Sequence, residues 1–172
     1  MRVLGIDCGT EYTGYGVVEQ LNDRDLSYIG CGTVRLSPKR PLCERLKQVY
    51  ETLHTVIADF QPEMVAIEDV FYAVNAKSAL KLGQVRGVAM LAASSCGLEV
   101  AEYAPLSIKS AVVGYGRAEK SQVQHMVMTL LRLADPPDSP DAADALAIAI
   151  CHLHTWSTLQ RQGAARMATA SK

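Results

Sequence analysis

The chain opens with short apolar blocks that alternate with polar residues, then changes to a spacing of three and four. Residues 2–7, 13–20 and 27–36 carry the first pattern, with Gly9, Gly14 and Asn22-Asp23 between or within them. This predicts three strands in a consecutive antiparallel meander. Leu42, Leu46, Val49, Tyr50, Leu53, Val56, Ile57 and Phe60 carry the second pattern and predict an amphipathic helix over 41–60. The block 64–68 is a further strand, and a parallel crossover is natural because a helix leads into it. Residues 76–96 form a second long helix that is apolar most of the way round and rich in small residues (Gly83, Gly87, Ala89, Ala92, Ala93). Its extra apolar face must be buried, either inside the molecule or by close helix packing across a twofold dimer interface. A strand over 100–103 and helices over 105–113, 120–133 and 140–156 complete the pattern. Residues 158–172 have little apolar periodicity, three basic residues and no acids, and read as a flexible tail after a domain of residues 1–157.

At 172 residues and 49% hydrophobic content, the chain suits one well-filled α/β domain. No apolar run approaches the roughly 20 residues of a membrane span, and Met1-Arg2-Val3 leads straight into a strand without a signal pattern. A soluble, cytoplasmic protein is expected. Five cysteines without C-x-x-C spacing argue against a disulfide framework or a zinc knuckle. His152 and His154, two apart on a helix, face different ways and read as packing residues. The net charge of −1 does not favour nucleic acid by itself, but residues 77–132 hold seven basic residues against three acidic ones. Two divalent cations would move the total from −1 to +3, which a phosphate backbone tolerates well.

Candidate chemistry lies in four carboxylates. Asp7 ends the apolar run Val3-Leu4-Gly5-Ile6, and Glu68 ends Met64-Val65-Ala66-Ile67 in the same way. Two like charges buried near each other raise each other's pKa, and a bound cation keeps both ionised. In Ser139-Pro140-Asp141-Ala142-Ala143-Asp144, Ser139 suits an N-cap and Pro140 the first helical position. Asp141 and Asp144, three apart, then share a helix face with Cβ atoms roughly 5 to 6 Å apart. Helix-start acids also serve the macrodipole without any ligand, which accounts for Asp141 better than for Asp144. The apolar helix that follows (Ala145, Leu146, Ile148, Ala149, Ile150) brings the pair to the core sheet and favours metal over capping. Asp69 belongs to the opposite sheet face if the strand continues, and stays outside the set.

Strands in a meander followed by alternating helix and strand, with acids at the ends of the first and fourth strands and on the last helix, match the layout of the ribonuclease H-like fold. More specifically, the chain resembles RuvC-type Holliday-junction resolvases. The resemblance rests on Leu4-Gly5-Ile6-Asp7, Thr13-Gly14-Tyr15-Gly16-Val17, Ala66-Ile67-Glu68 with Val70-Phe71, Ser78-Ala79-Leu80-Lys81-Leu82-Gly83-Gln84 with Arg86-Gly87, Ala118-Glu119-Lys120-Ser121-Gln122-Val123 and Asp141-Ala142-Ala143-Asp144-Ala145-Leu146. It runs from about residue 3 to about 154, leaving the tail uncovered. It implies a mixed five-stranded sheet, three antiparallel strands and then parallel ones, flanked by helices.

The resemblance also implies a homodimeric, Mg-dependent endonuclease that serves recombination and repair by placing paired nicks in a four-way DNA junction. Asp7, Glu68, Asp141 and Asp144 would hold two Mg ions per site, with Mn as a substitute; oxygen-only ligands suit both. Such ions, about 3.5 to 4 Å apart, activate water and stabilise the leaving oxygen. Lys109 and Lys120 would lie near the scissile phosphate, Phe71 would stack at the junction centre, and Asn75, Lys77, Lys81 and Arg86 would contact DNA. A branch-migration motor is the implied partner. Cys8 stands where the family usually has Pro, so φ is less restricted in the turn after Asp7. Three rivals are a phosphate-binding loop of actin-like ATPases at Asp7-Cys8-Gly9-Thr10, a non-catalytic junction-binding dimer, and a nuclease for another structured substrate such as an RNA–DNA hybrid. The first needs two such domains and leaves Asp141 and Asp144 unexplained.

Overall fold

The computed structural model describes residues 1–22, 25–69 and 76–170, with 163–170 described as backbone only. Its strands are β1 (Arg2–Asp7), β2 (Tyr12–Gln20), β3 (Leu26–Arg35), β4 (Met64–Glu68) and β5 (Val100–Tyr103). The helices are α1 (Leu42–Phe60), α2 (Ala76–Ser95), α3 (Pro105–Val113), α4 (Lys120–Leu131) and α5 (Pro140–Ala170). They form one five-stranded sheet in the order β3-β2-β1-β4-β5. β1, β2 and β3 pair antiparallel, while β4 lies parallel to β1 and β5 parallel to β4. The mixed sheet implied by the sequence is therefore present, with β1 at its centre.

Strand parity divides the core in two. Leu4, Ile6, Val17, Val65 and Ile67 pack with Val49, Leu53, Val56 and Ile57 of α1 and with Val85, Ala89, Ala92 and Ala93 of α2. On the opposite face, Val3, Val18 and Ala66 pack with α3, α4 and α5, where Leu146, Ala149, Ile150 and Leu153 are fully buried. Each large aliphatic side chain buried in this way contributes roughly 1.5–3 kcal/mol. Because successive side chains alternate, Val3 and Ala66 fix the facing of Asp7 and Glu68: both acids belong to the α5 side.

α5 lies unusually close to the sheet. A Cβ on Gly5 would come within 2.0 Å of the Ala145 carbonyl oxygen, and one on Gly14 within 2.1 Å of the Asp141 carbonyl oxygen. Only glycine admits a helix backbone at that distance. The helix start is fixed further by Ser139, whose Oγ accepts the Ala142 N–H at 3.1 Å and is itself bonded to Thr33 Oγ1 of β3. The N-cap expected at Ser139 is thus in place.

One expectation needs correction, and one open alternative is narrowed. α5 does not end near residue 156 but continues to Ala170, replacing the predicted tail with helix. Periodicity stops because this part has little to pack against, Leu159 being exposed and 160–162 likewise. Its Gln, Arg, Ala and Met residues are nevertheless strong helix formers. α2 is not fully internal. One face packs on α1, while Leu80 and Leu91 are 71% and 58% exposed and the space around Gly83 and Gly87 is open. No described helix is long and apolar enough to cross a membrane.

Candidate metal and phosphate site

The last β1–β4 register pair is Ile6 with Ile67, so the next residues, Asp7 and Glu68, stand side by side where the two strands end. On the same face, α5 brings Asp144 over them. These three carboxylates line one cavity of about 170 Å³ together with Lys109 of α3 and Lys120 of α4. Its remaining walls are apolar: Pro105, Ile108, Val123, Ala147 and Ile148. Five elements separated widely in the chain thus converge on one acid-and-lysine cleft.

The electrostatics reveal strong crowding of negative charge. Burial, followed by Asp144, Glu68 and Asp141, pushes the Asp7 carboxyl from 3.8 up to about 7. Burial and then Asp144 raise Glu68 in the same direction, opposed by Lys120 and Lys109. Lys120 Nζ sits 2.5 Å from Asp144 Oδ2, and that hydrogen bond holds its ammonium above the usual range. Asp141 acts on Asp7 and Lys120 through its charge but is not among the cavity's lining residues. It stands one helical turn before Asp144, at the edge of the site.

Two devices fix the starts of the helices that carry the lysines. Glu119 and Gln122 form a reciprocal capping box that fixes the first turn of α4, where Lys120 is the first helical residue. Pro105 occupies the first turn of α3 and directs the helix that carries Lys109.

Among the described residues, no three side chains are drawn together closely enough to form a finished metal-ligand cluster. Unscreened carboxylates repel each other, and here one of them takes a lysine ammonium as counter-ion. The donor set is oxygen-only and negatively charged, with more carboxylates than the two lysines neutralise, which fits a hard divalent cation better than zinc.

The other predicted residues are more scattered. Lys77 is exposed and Lys81 half-buried near the start of α2, outside the cavity lining. Phe71 and Asn75 lie outside the described residues. Arg86 is turned inward instead of presented to solvent: its guanidinium pairs with Asp69 and Glu102, and its Nε donates to the Glu68 carbonyl oxygen at 3.2 Å. Asp69 therefore faces α2, as strand parity requires. Cys8, packed against the α1–α2 core, has its thiol pushed up to about 12 by burial and then by Asp7, which leaves it inert as a nucleophile. His152 bonds Tyr103 and His154 bonds the Ala111 carbonyl, so both are packing residues. The apolar cavity walls and the Thr33–Ser139 contact have no signature in the sequence, because each joins residues that share no local pattern.

A sheet of this topology, with acids closing its first and fourth strands and its last helix laid across them, is that of the ribonuclease H-like nucleases. A family model described as crossover junction endodeoxyribonuclease RuvC matches residues 3–152, and the chain belongs to that family of metal-dependent nucleases. The crossover junction endodeoxyribonuclease RuvC of Koribacter versatilis (strain Ellin345) is 63% identical over 164 residues, 95% of this chain and 99% of that one. Thermus thermophilus RuvC, solved in complex with Holliday junction substrate, superposes with a TM-score of 0.87 at 34% identity, covering 92% of this chain and 96% of that chain. The yeast mitochondrial Holliday junction resolvase Ydc2 shares the fold at a TM-score of 0.67 and 14% identity, over 93% and 82% of the two chains.

Proposed function

We propose that this chain is a crossover junction endodeoxyribonuclease that resolves four-way DNA junctions with paired, symmetric nicks, acting as a homodimer with one site per protomer. The observation that carries this reading is the convergence of Asp7, Glu68 and Asp144 with Lys109 and Lys120 in one cavity. Asp7, Glu68, Asp144 and the peripheral Asp141 are the residues that would hold two Mg ions. When bound, such ions supply an activated water and stabilisation of the departing 3′ oxygen.

The chain's own groups do the rest. Lys120 is exposed enough to exchange its Asp144 contact for a phosphate oxygen. With Lys109 it can offset charge that grows on phosphorus during in-line displacement. The apolar walls exclude water behind the acids and strengthen these interactions. Phe71 stacks on an unpaired base at the junction centre, while Asn75, Lys77 and Lys81 hold the DNA backbone. For the dimer, Leu80, Gly83, Gly87 and Leu91 recur at three and four along the outward face of α2, where two small residues admit a second helix closely. A branch-migration motor in the same cellular compartment, the cytoplasm, is the partner that would deliver junctions.

The deciding experiment incubates the protein with a strand-labelled synthetic four-way junction in Mg or EDTA and maps the cuts. Symmetric nicks in two strands of like polarity, only with Mg, are expected. Tight binding with no cleavage would favour the non-catalytic dimer, and preferential cutting of an RNA–DNA hybrid would favour the other nuclease reading.

A further inference from the structure

We infer that Arg86 is a positioning residue for the metal ligand Glu68, and does not bind DNA; this rests on the nuclease reading above. Strand parity supplies the geometry. Glu68 and its register partner Tyr103 face α5, so the adjoining Asp69 and Glu102 face the opposite helix, α2. Arg86 reaches from α2 into that gap. Its Nε donates to the Glu68 carbonyl oxygen at 3.2 Å, its Nη2 lies 3.4 Å from Asp69 Oδ1, and the same nitrogen pairs with Glu102 Oε2. The side chain is only 18% exposed.

One planar guanidinium thus joins α2, the end of β4 and the end of β5. The geometry matters because β4 stops at Glu68, so the ligand sits on the last residue of its strand. Beyond its pairing with β5, the peptide carrying Glu68 has Arg86 as a side-chain brace. A lysine could satisfy one of these groups but not all three, since it lacks the rigid fork of donors. Turning Arg86 outward to a phosphate would also give up all three contacts at once, two of them charge-assisted. A brace of this kind orients a ligand without touching the ion, as outer-shell partners of metal ligands do.

The test uses full-length Arg86→Met, Arg86→Lys and the near-isosteric Glu102→Gln. Three quantities are measured for each: Mn affinity of the protein alone, junction affinity in Ca, and the single-turnover cleavage rate at saturating junction across a Mg series. For Arg86→Met the expected outcome is a loss of roughly 10- to 100-fold in Mn affinity or in cleavage rate, with a raised Mg requirement. Junction affinity stays at the wild-type level. Glu102→Gln shifts the same quantities in the same direction by less, and Arg86→Lys does not restore them. Weakened junction binding with normal saturated cleavage in Arg86→Met, or tighter junction binding in Glu102→Gln, would overturn the inference and make Arg86 a DNA contact. A lowered melting temperature with unchanged metal affinity and cleavage would also overturn it. If the wild type cuts no junction at all, the nuclease reading fails, while the Mn measurement still tests the brace.

Discussion

Replacing Asp7 with Asn should make the metal-free protein more stable while removing its activity. The Asp7 carboxyl titrates near 3.8 in an unfolded chain and about 7 in the fold, raised first by burial and then by Asp144, Glu68 and Asp141. Below the lower value, both states are protonated and nothing is lost. Between the two values the unfolded chain has released a proton that the folded one still holds, so stability falls as pH rises, by about 1.4 kcal/mol per unit. Above the upper value the penalty levels off at about 4 kcal/mol. Asn removes that charge but leaves a partly buried amide, which takes back about 1 kcal/mol or more. In EDTA at pH 8, Asp7→Asn should therefore be more stable by about 2–3 kcal/mol, a rise in melting temperature on the order of 5–10 °C for a chain of this size. Thermal denaturation across pH 4 to 8 is the assay. The wild type should lose stability over this window and the variant much less, though Glu68, raised in the same direction, keeps some slope in both. Mg at a hundred times its dissociation constant should then stabilise the wild type by about 2.7 kcal/mol and the variant far less. A variant less stable than wild type at pH 8 in EDTA would refute the reasoning, as would retained cleavage.

The remaining predictions concern how the site is held. Ser139→Ala removes the cap of α5 and the Thr33 contact, and should cost about 1 kcal/mol in denaturant unfolding together with part of the cleavage rate, whereas Ser139→Thr should recover most of both. Gly14→Ala inserts a Cβ 2.1 Å from the Asp141 carbonyl and must push the start of α5 away, so unfolding should show a loss of about 1–3 kcal/mol or more and cleavage should nearly vanish. Leu91→Asp, on the outward face of α2, should shift the sedimentation of the protein from dimer towards monomer without lowering protomer stability by more than about 0.5 kcal/mol. Phe71→Ala should impair cleavage more than it lowers the melting temperature; a collapsed melting curve would place that ring in the core.

Much of this arrangement was legible in the chain because strand parity and helix period are local rules. The runs ending in Asp7 and Glu68 showed both acids at strand ends, and parity alone sent Asp69 to the face opposite Glu68; that Asp7 and Glu68 share a side follows from the pairing of β1 with β4. The Ser139-Pro140 start announced its own cap. What stayed hidden was either non-local or lacked a packing signature. Nothing near Arg86 in sequence reveals that Asp69 and Glu102 converge on it from two strands. The extension of α5 to Ala170 was invisible to periodicity, since an exposed helix needs propensity and no apolar stripe. Composition could not tell which small residues of α2 are covered by α1 and which are left open, as Gly83 and Gly87 are. Asp141 and Asp144 looked equivalent by spacing, yet a single helical turn places one in the cavity lining and the other at its edge.

Diffraction at the manganese absorption edge, from crystals of the protein with a four-way junction and Mn, tests the central claim most directly. Two anomalous peaks per protomer, about 3.5 to 4 Å apart and enclosed by Asp7, Glu68, Asp144 and Asp141 beside a DNA phosphate, are the expected result. Manganese located away from these carboxylates, or a junction phosphate seated elsewhere on the protein, would contradict it.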